Sequence, residues 1–177
     1  MSSASEVYPR RFAAPRVGLG GCLAALLIGF FLASASANVV RPAPDFAWTN
    51  AAGQPQSFNQ FRGQPVVLLI APSPRSWAFR RQVGHLQRVY QRLAATGAIC
   101  AAAFTAETGL IRSNIPFVLA TDGPRVAFLF GTAPGFHVAV MGKDGNIDLL
   151  TSRVQSGQQI LDIIGNSYAV QQSLRRP

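Results

Sequence analysis

An α/β domain with a mixed central sheet, layered α/β/α, is the architecture this sequence predicts, and three observations carry the prediction. Val66–Ala71 is an unbroken apolar run, short and rich in β-branched residues, which reads as a strand buried on both faces. Phe79, Val83, Leu86, Tyr90 and Leu93 then recur at helical spacing, giving one amphipathic helix packed back on that strand. Ala98–Phe104 follows as a second buried strand, parallel to the first, so the three form a right-handed βαβ unit. A length of 177 residues with 49% hydrophobic content accommodates one domain with a real core and an appended segment.

That segment comes first. Arg10, Arg11 and Arg16 precede the uncharged stretch 17–37, "VGLGGCLAALLIGFFLASASA". A basic flank, an apolar middle and small residues at Ala33, Ala35 and Ala37 match a signal peptide with an A-x-A cleavage site. Its 21 residues also match an uncleaved signal anchor at the inner membrane, although the Ala/Ser-rich end favours cleavage. Either way the basic flank stays cytoplasmic and the domain is exported, to the periplasm or cell envelope. The expected division is 1–37 signal peptide or anchor, 38–44 extended linker, and 45–177 domain.

Within the domain, Phe46/Trp48 and Gln56/Phe58 flank a turn at 50–53 and predict a β-hairpin. An Arg62-Gly63 turn leads into the central strand, and Gly97 stops the helix after it. Residues 105–114 read as a short helix or an irregular connection. A short strand, an Asp122-Gly123 turn and a helical segment around Val126–Phe130 come next. Phe136–Met141 and Ile147–Leu149 form a hairpin about Lys143-Asp144-Gly145. A last helix starts at Ser156 with Gln159 three residues on, a capping box, and turns Ile160, Leu161, Ile164 and Tyr168 inward.

Charge and cysteines bound the chemistry. The chain carries a formal charge of +9, and 15 of its 16 basic residues are Arg. This favours anionic partners, but no block of five like charges and no aromatic-interleaved Arg run marks a nucleic-acid platform. Cys22 lies in the export segment, which leaves Cys100 as the domain's single thiol. One thiol closes no intramolecular disulfide, and its small apolar neighbours in "GAICAAAF" describe a packed core residue. His85 and His137 are far apart and make no ligand set, so no metal and no cofactor is expected.

The element order, with "APDF" at 43–46, "RGQPVVLLI" at 62–70, "IPFVLATD" at 115–122 and "GKDGNI" at 142–147, resembles the thioredoxin-like fold in its peroxiredoxin and thiol-reductase branch. The wording "APSP", "RRQ" and "GKDG" with a Ser-started last helix is similar to a cysteine-poor family of bacterial envelope thioredoxin-like domains. The resemblance implies a redox cysteine in the turn after the central strand. Here the positions that align with it hold Ser76 and Phe79. It also implies a cis-proline ahead of the third strand; counting back from Asp144-Gly145 puts Phe136 there, and Pro134 reads as a loop proline.

Thioredoxin-type exchange needs a thiolate at a helix N-terminus, and serine without a general base is a poor substitute. His85 is nine residues along the helix from Ser76, about 13 Å away by rise alone, and reads as part of a solvated basic face. His137 is the one histidine the fold could bring beside Ser76. What remains is a degenerate turn in which Ser73, Arg75, Ser76, Arg80 and Arg81 surround a helix N-terminus. That is an anion or carboxylate seat, or else a capped helix with solvated arginines. The expected function is a redox-inactive binding or structural protein of the envelope, its partner an envelope protein or a small anionic ligand. The alternatives are a thiol oxidoreductase or peroxidase using Cys100 and, behind it, a basic binder of anionic lipid or nucleic acid.

Overall fold

The computed structural model describes residues 41–50, 52–167 and 172. The export segment, residues 38–40, Tyr168 and the basic tail at 173–177 lie outside them.

Among the described residues eight strands form one mixed sheet: β1 (Arg41–Pro42), β2 (Ala47–Thr49), β3 (Pro55–Ser57), β4 (Val66–Ala71), β5 (Ile99–Phe104), β6 (Phe117–Ala120), β7 (His137–Met141) and β8 (Asn146–Thr151). Their spatial order is β1-β8-β7-β4-β5-β6-β2-β3. β4 sits at the centre, parallel to β5 and antiparallel to β7, with Val67 opposite Cys100 and Val140. Every residue of β4 is buried, as an apolar strand covered on both faces must be.

Strand alternation divides the interior into two cores. On one face Val67, Leu69, Cys100, Ala102, Val138 and Val140 pack under α1 (Trp77–Gln87), α2 (Tyr90–Ala95) and α4 (Gly157–Gly165). On the other, Leu68, Ile70, Ala101, Ala103, Ala139 and Met141 pack under α3 (Gly123–Phe130), Phe46 and Phe58. Helices on both faces give the expected three-layer sandwich.

Both outer hairpins form where they were expected. Trp48 pairs with Gln56, and β7 pairs with β8 across a turn that Gly145 closes at φ 77°. The capping box at Ser156 and Gln159 is complete in both directions. The connection from 105 to 116 is irregular.

Three expectations are corrected. The helix after β4 is two helices, because at Val89 (φ −117°, ψ 9°) the backbone leaves the α region and its N–H donates to Leu86 C=O at 3.1 Å. The start of α4 abuts this break: a β-carbon on Gly157 would come within 2.6 Å of His85 O and 2.7 Å of Val89 Cγ2. Asp122-Gly123 is a helix start rather than a turn. The Asp122 carboxylate accepts from Arg125 N–H, and a side chain on Gly123 would collide with the Phe104 backbone. Arg41 and Pro42 of the expected linker join the sheet as β1, paired to β8, while Ala43 N–H bonds to Gly145 C=O and Arg41 donates to Phe130 C=O at the end of α3.

Candidate functional site

Parallel β4 ends at Ala71, and the chain turns through Pro72–Ser76 into α1. The same end of the sheet holds the exit of β5, and backbone bonds tie the two together. Thr105 N–H donates to Ala71 C=O, and the N–H groups of Ala106 and Glu107 both donate to Pro72 C=O. Farther on, Gln87 Nε2 donates to Asn114 Oδ1 at 3.2 Å, fixing the connection to the far end of α1. Gly109 rests on the turn, since a β-carbon there would lie 3.2 Å from Pro74 Cγ.

Between these anchors lies a groove of about 830 Å³. Phe79 and Val83 stand at its base, and Leu110, Ile111 and Pro74 supply apolar wall. Arg75, Arg80 and Arg112 line it, with Glu107 the only acid. No hydrogen bond or ion pair occupies these arginines among the described residues. A space of this size and mixed character suits a small amphipathic ligand with an anionic group.

The structure therefore joins two of the five proposed turn residues, Arg75 and Arg80, to Arg112, and it separates the other three. Arg81 points elsewhere, its guanidinium 5.0 Å from the centre of the Trp77 ring. Ser73 contributes its C=O to Ser76 N–H. Ser76 occupies the N-cap of α1, yet its hydroxyl makes no capping bond and is buried without a partner. The expectation that a serine caps this helix through its side chain is thus corrected. Sequence reasoning missed Arg112 and Leu110. The only local signal was an apolar pair followed by Arg in a stretch with no periodicity.

Neither histidine serves Ser76. His85 is half-buried rather than solvated, with Nδ1 2.9 Å from Gln155 C=O, so that nitrogen carries the proton. His137 opens β7 opposite Ile70, on the α3 face of the sheet with Ala139 and Met141. Its Nδ1 is buried with no hydrogen-bond partner, as is Ser76 Oγ, so the two do not bond to each other. Burial holds the His137 pKa below its usual value, and the ring is neutral at pH 7. Pro134 is an exposed loop residue, and Phe136 is the buried residue ahead of β7.

Cys100 lies in the core under α1, 3% exposed, with Val67 and Phe117 as its strand neighbours. Burial pushes its thiol up to about 12. At pH 7 the thiolate, which is the nucleophilic form, is then on the order of one part in 10⁵. Among the described residues no group of three or more His, Cys, Asp and Glu side chains could hold a metal ion, and no helix is long and apolar enough to cross a membrane.

No family model and no curated protein matches the sequence. Solved structures do resemble it. A protein assigned as the thiol:disulfide interchange protein DsbE of Chlorobium tepidum superposes with a TM-score of 0.60 at 19% identity, over 71% of this chain and 97% of its own. The 2-Cys peroxiredoxin of Plasmodium vivax gives 0.57 at 16% identity, over 76% of this chain and 96% of its own. Peroxidoxin BcpB of Mycobacterium tuberculosis gives 0.55 at 17% identity, over 71% and 94%. The chain has the thioredoxin-like fold, in the form that thiol:disulfide interchange proteins and peroxiredoxins share.

Proposed function

We propose that this chain is an exported thioredoxin-fold protein that binds a ligand and exchanges no disulfides. The observation that carries the reading is the placement of thiol and turn. Ser76 and Phe79 stand at the turn, while the domain's one cysteine is sealed in the core with its pKa near 12. The same turn forms one wall of a groove in which three arginines have no partner among the described residues. Exposed guanidinium groups beside an apolar wall favour a carboxylate, sulfonate or phosphate carried on a small apolar body, or an acidic segment of another envelope protein.

The test has two parts. The full chain should reduce insulin disulfides and consume hydrogen peroxide no faster than its Cys100→Ala variant. It should also bind 8-anilinonaphthalene-1-sulfonate, an anion with an aromatic body, and lose at least tenfold in affinity on Arg75→Ala/Arg80→Ala/Arg112→Ala. Disulfide or peroxide turnover that depends on Cys100 would refute the first part, and unchanged dye affinity in the triple variant would refute the second.

A further inference from the structure

Among the described residues the outer side of α1 is open to solvent. Trp77, Arg81 and Arg88, spaced four and seven residues apart, share a stripe facing away from the sheet, and all are exposed. Trp77 is 64% exposed. Beside it, the 105–112 connection carries Leu110 outward at 86% exposure, and the Gly109–Pro74 contact places that loop against the turn just before Trp77. Arg75, Arg80 and Arg112 line the groove together with Leu110, and the Arg81 guanidinium lies over the Trp77 ring. The sequence has no Asp or Glu from residue 46 to 106, so the α1–α2 surface has no acid of its own, and Glu107 is the one carboxylate on the loop.

We propose that this face docks on an anionic bilayer surface. Trp77 and Leu110 enter the headgroup region, and Arg75, Arg80, Arg81, Arg88 and Arg112 contact lipid phosphates. Charge complementarity selects the occupant: a second copy would bring the same arginines against themselves, and two protruding apolar side chains ringed by cations suit a soft interface. Tryptophan with one polar edge is a residue of that interface. The sequence adds that the uncharged stretch 17–37 ends only three residues ahead of Arg41, where β1 begins, so a bilayer is the anionic surface within reach of a signal anchor.

The test uses the full chain carrying Trp48→Phe, which leaves Trp77 as the only tryptophan, with vesicles of phosphatidylcholine alone or containing phosphatidylglycerol and brominated lipid. Trp77 emission should shift to the blue and be quenched on the anionic vesicles alone, even where the chain associates with both kinds through residues 17–37. Losing one arginine weakens such docking roughly five-fold, so Arg81→Glu/Arg88→Glu should weaken it at least tenfold, while both residues lie outside the groove and leave dye binding there intact. If Trp48→Phe does not fold, the natural chain replaces it and Trp77→Phe must abolish the shift. Trp77 emission unaltered on anionic vesicles, equal on both kinds, or insensitive to the double reversal overturns the proposal.

Discussion

Gln82 and Gln155 hold each other as two strand residues would. The Gln82 side chain, fully buried on α1, donates from Nε2 to Gln155 C=O at 3.1 Å and accepts from Gln155 N–H at 2.7 Å. His85 Nδ1 adds a third bond to the same carbonyl. The loop that enters α4 has no strand partner at this point, and one amide side chain supplies both halves of the missing ladder.

Gln82→Leu should therefore destabilise by about 2 kcal/mol, because the Gln155 N–H stays buried without an acceptor while His85 still serves its carbonyl. Urea unfolding measures this as a lower midpoint with unchanged slope. A midpoint equal to the natural chain's would mean that water replaces the side chain.

Gly157 and Gly123 are required by close approach. Alanine at 157 would press a methyl against His85 O and Val89, and at 123 against the Phe104 backbone. Each should lose about 2 kcal/mol or more as the helix start is pushed off the sheet. Gly84→Ala is the control: no atom lies within 4 Å of its added methyl, and it should stabilise α1 by up to about 1 kcal/mol. Thermal unfolding of the three variants ranks them.

Asp148 gives a pH signature. Burial first, and then the neighbouring Asp144, raise its carboxyl from 3.8 to about 6, and its Oδ2 is buried without a hydrogen-bond partner. Between pH 3.8 and about 6 the unfolded chain has lost this proton and the folded chain keeps it, so stability falls as pH rises through that window and then levels. Asp148→Asn should remove the fall and gain about 1 kcal/mol at pH 7, after allowing for solvent screening at a half-buried site. Urea midpoints at pH 4 and 7 check the sign.

Phe79 stands where the resemblance would put a cysteine, yet it is a core residue, its ring 5.1 Å from that of Phe104 and 6.2 Å from that of Phe117. Rebuilding a C-x-x-C turn as Ser76→Cys/Phe79→Cys should cost about 3 kcal/mol, nearly all of it from position 79. Comparing the double variant with Ser76→Cys alone by urea unfolding separates the two.

The local grammar of this fold is legible in its residues. Continuous apolar runs gave β4 and β5, Gly97 and Gly145 marked the turns, and Ser156 with Gln159 announced α4. The helix break at Val89 was not legible, because its apolar spacing continues through Tyr90 and Leu93; the break belongs to contact with Gly157, far along the chain. His85 looked solvated among arginines for the same reason, since its partner Gln155 is 70 residues away. The site was half legible. Arg75 and Arg80 flank the turn in sequence, but Arg112 joins them only because the exit of β5 is bonded to Pro72 C=O.

The central claim is that the fold is kept without a reactive thiol, and the most direct measurement is alkylation of Cys100 in the native full chain, with and without hydrogen peroxide. Mass spectrometry of the tryptic peptide 93–112 distinguishes it from Cys22. Protection until denaturant is added, with no oxygen adduct after peroxide, is the predicted result. Rapid labelling of the folded chain, or a sulfenic acid on that peptide, would contradict it and make Cys100 the site.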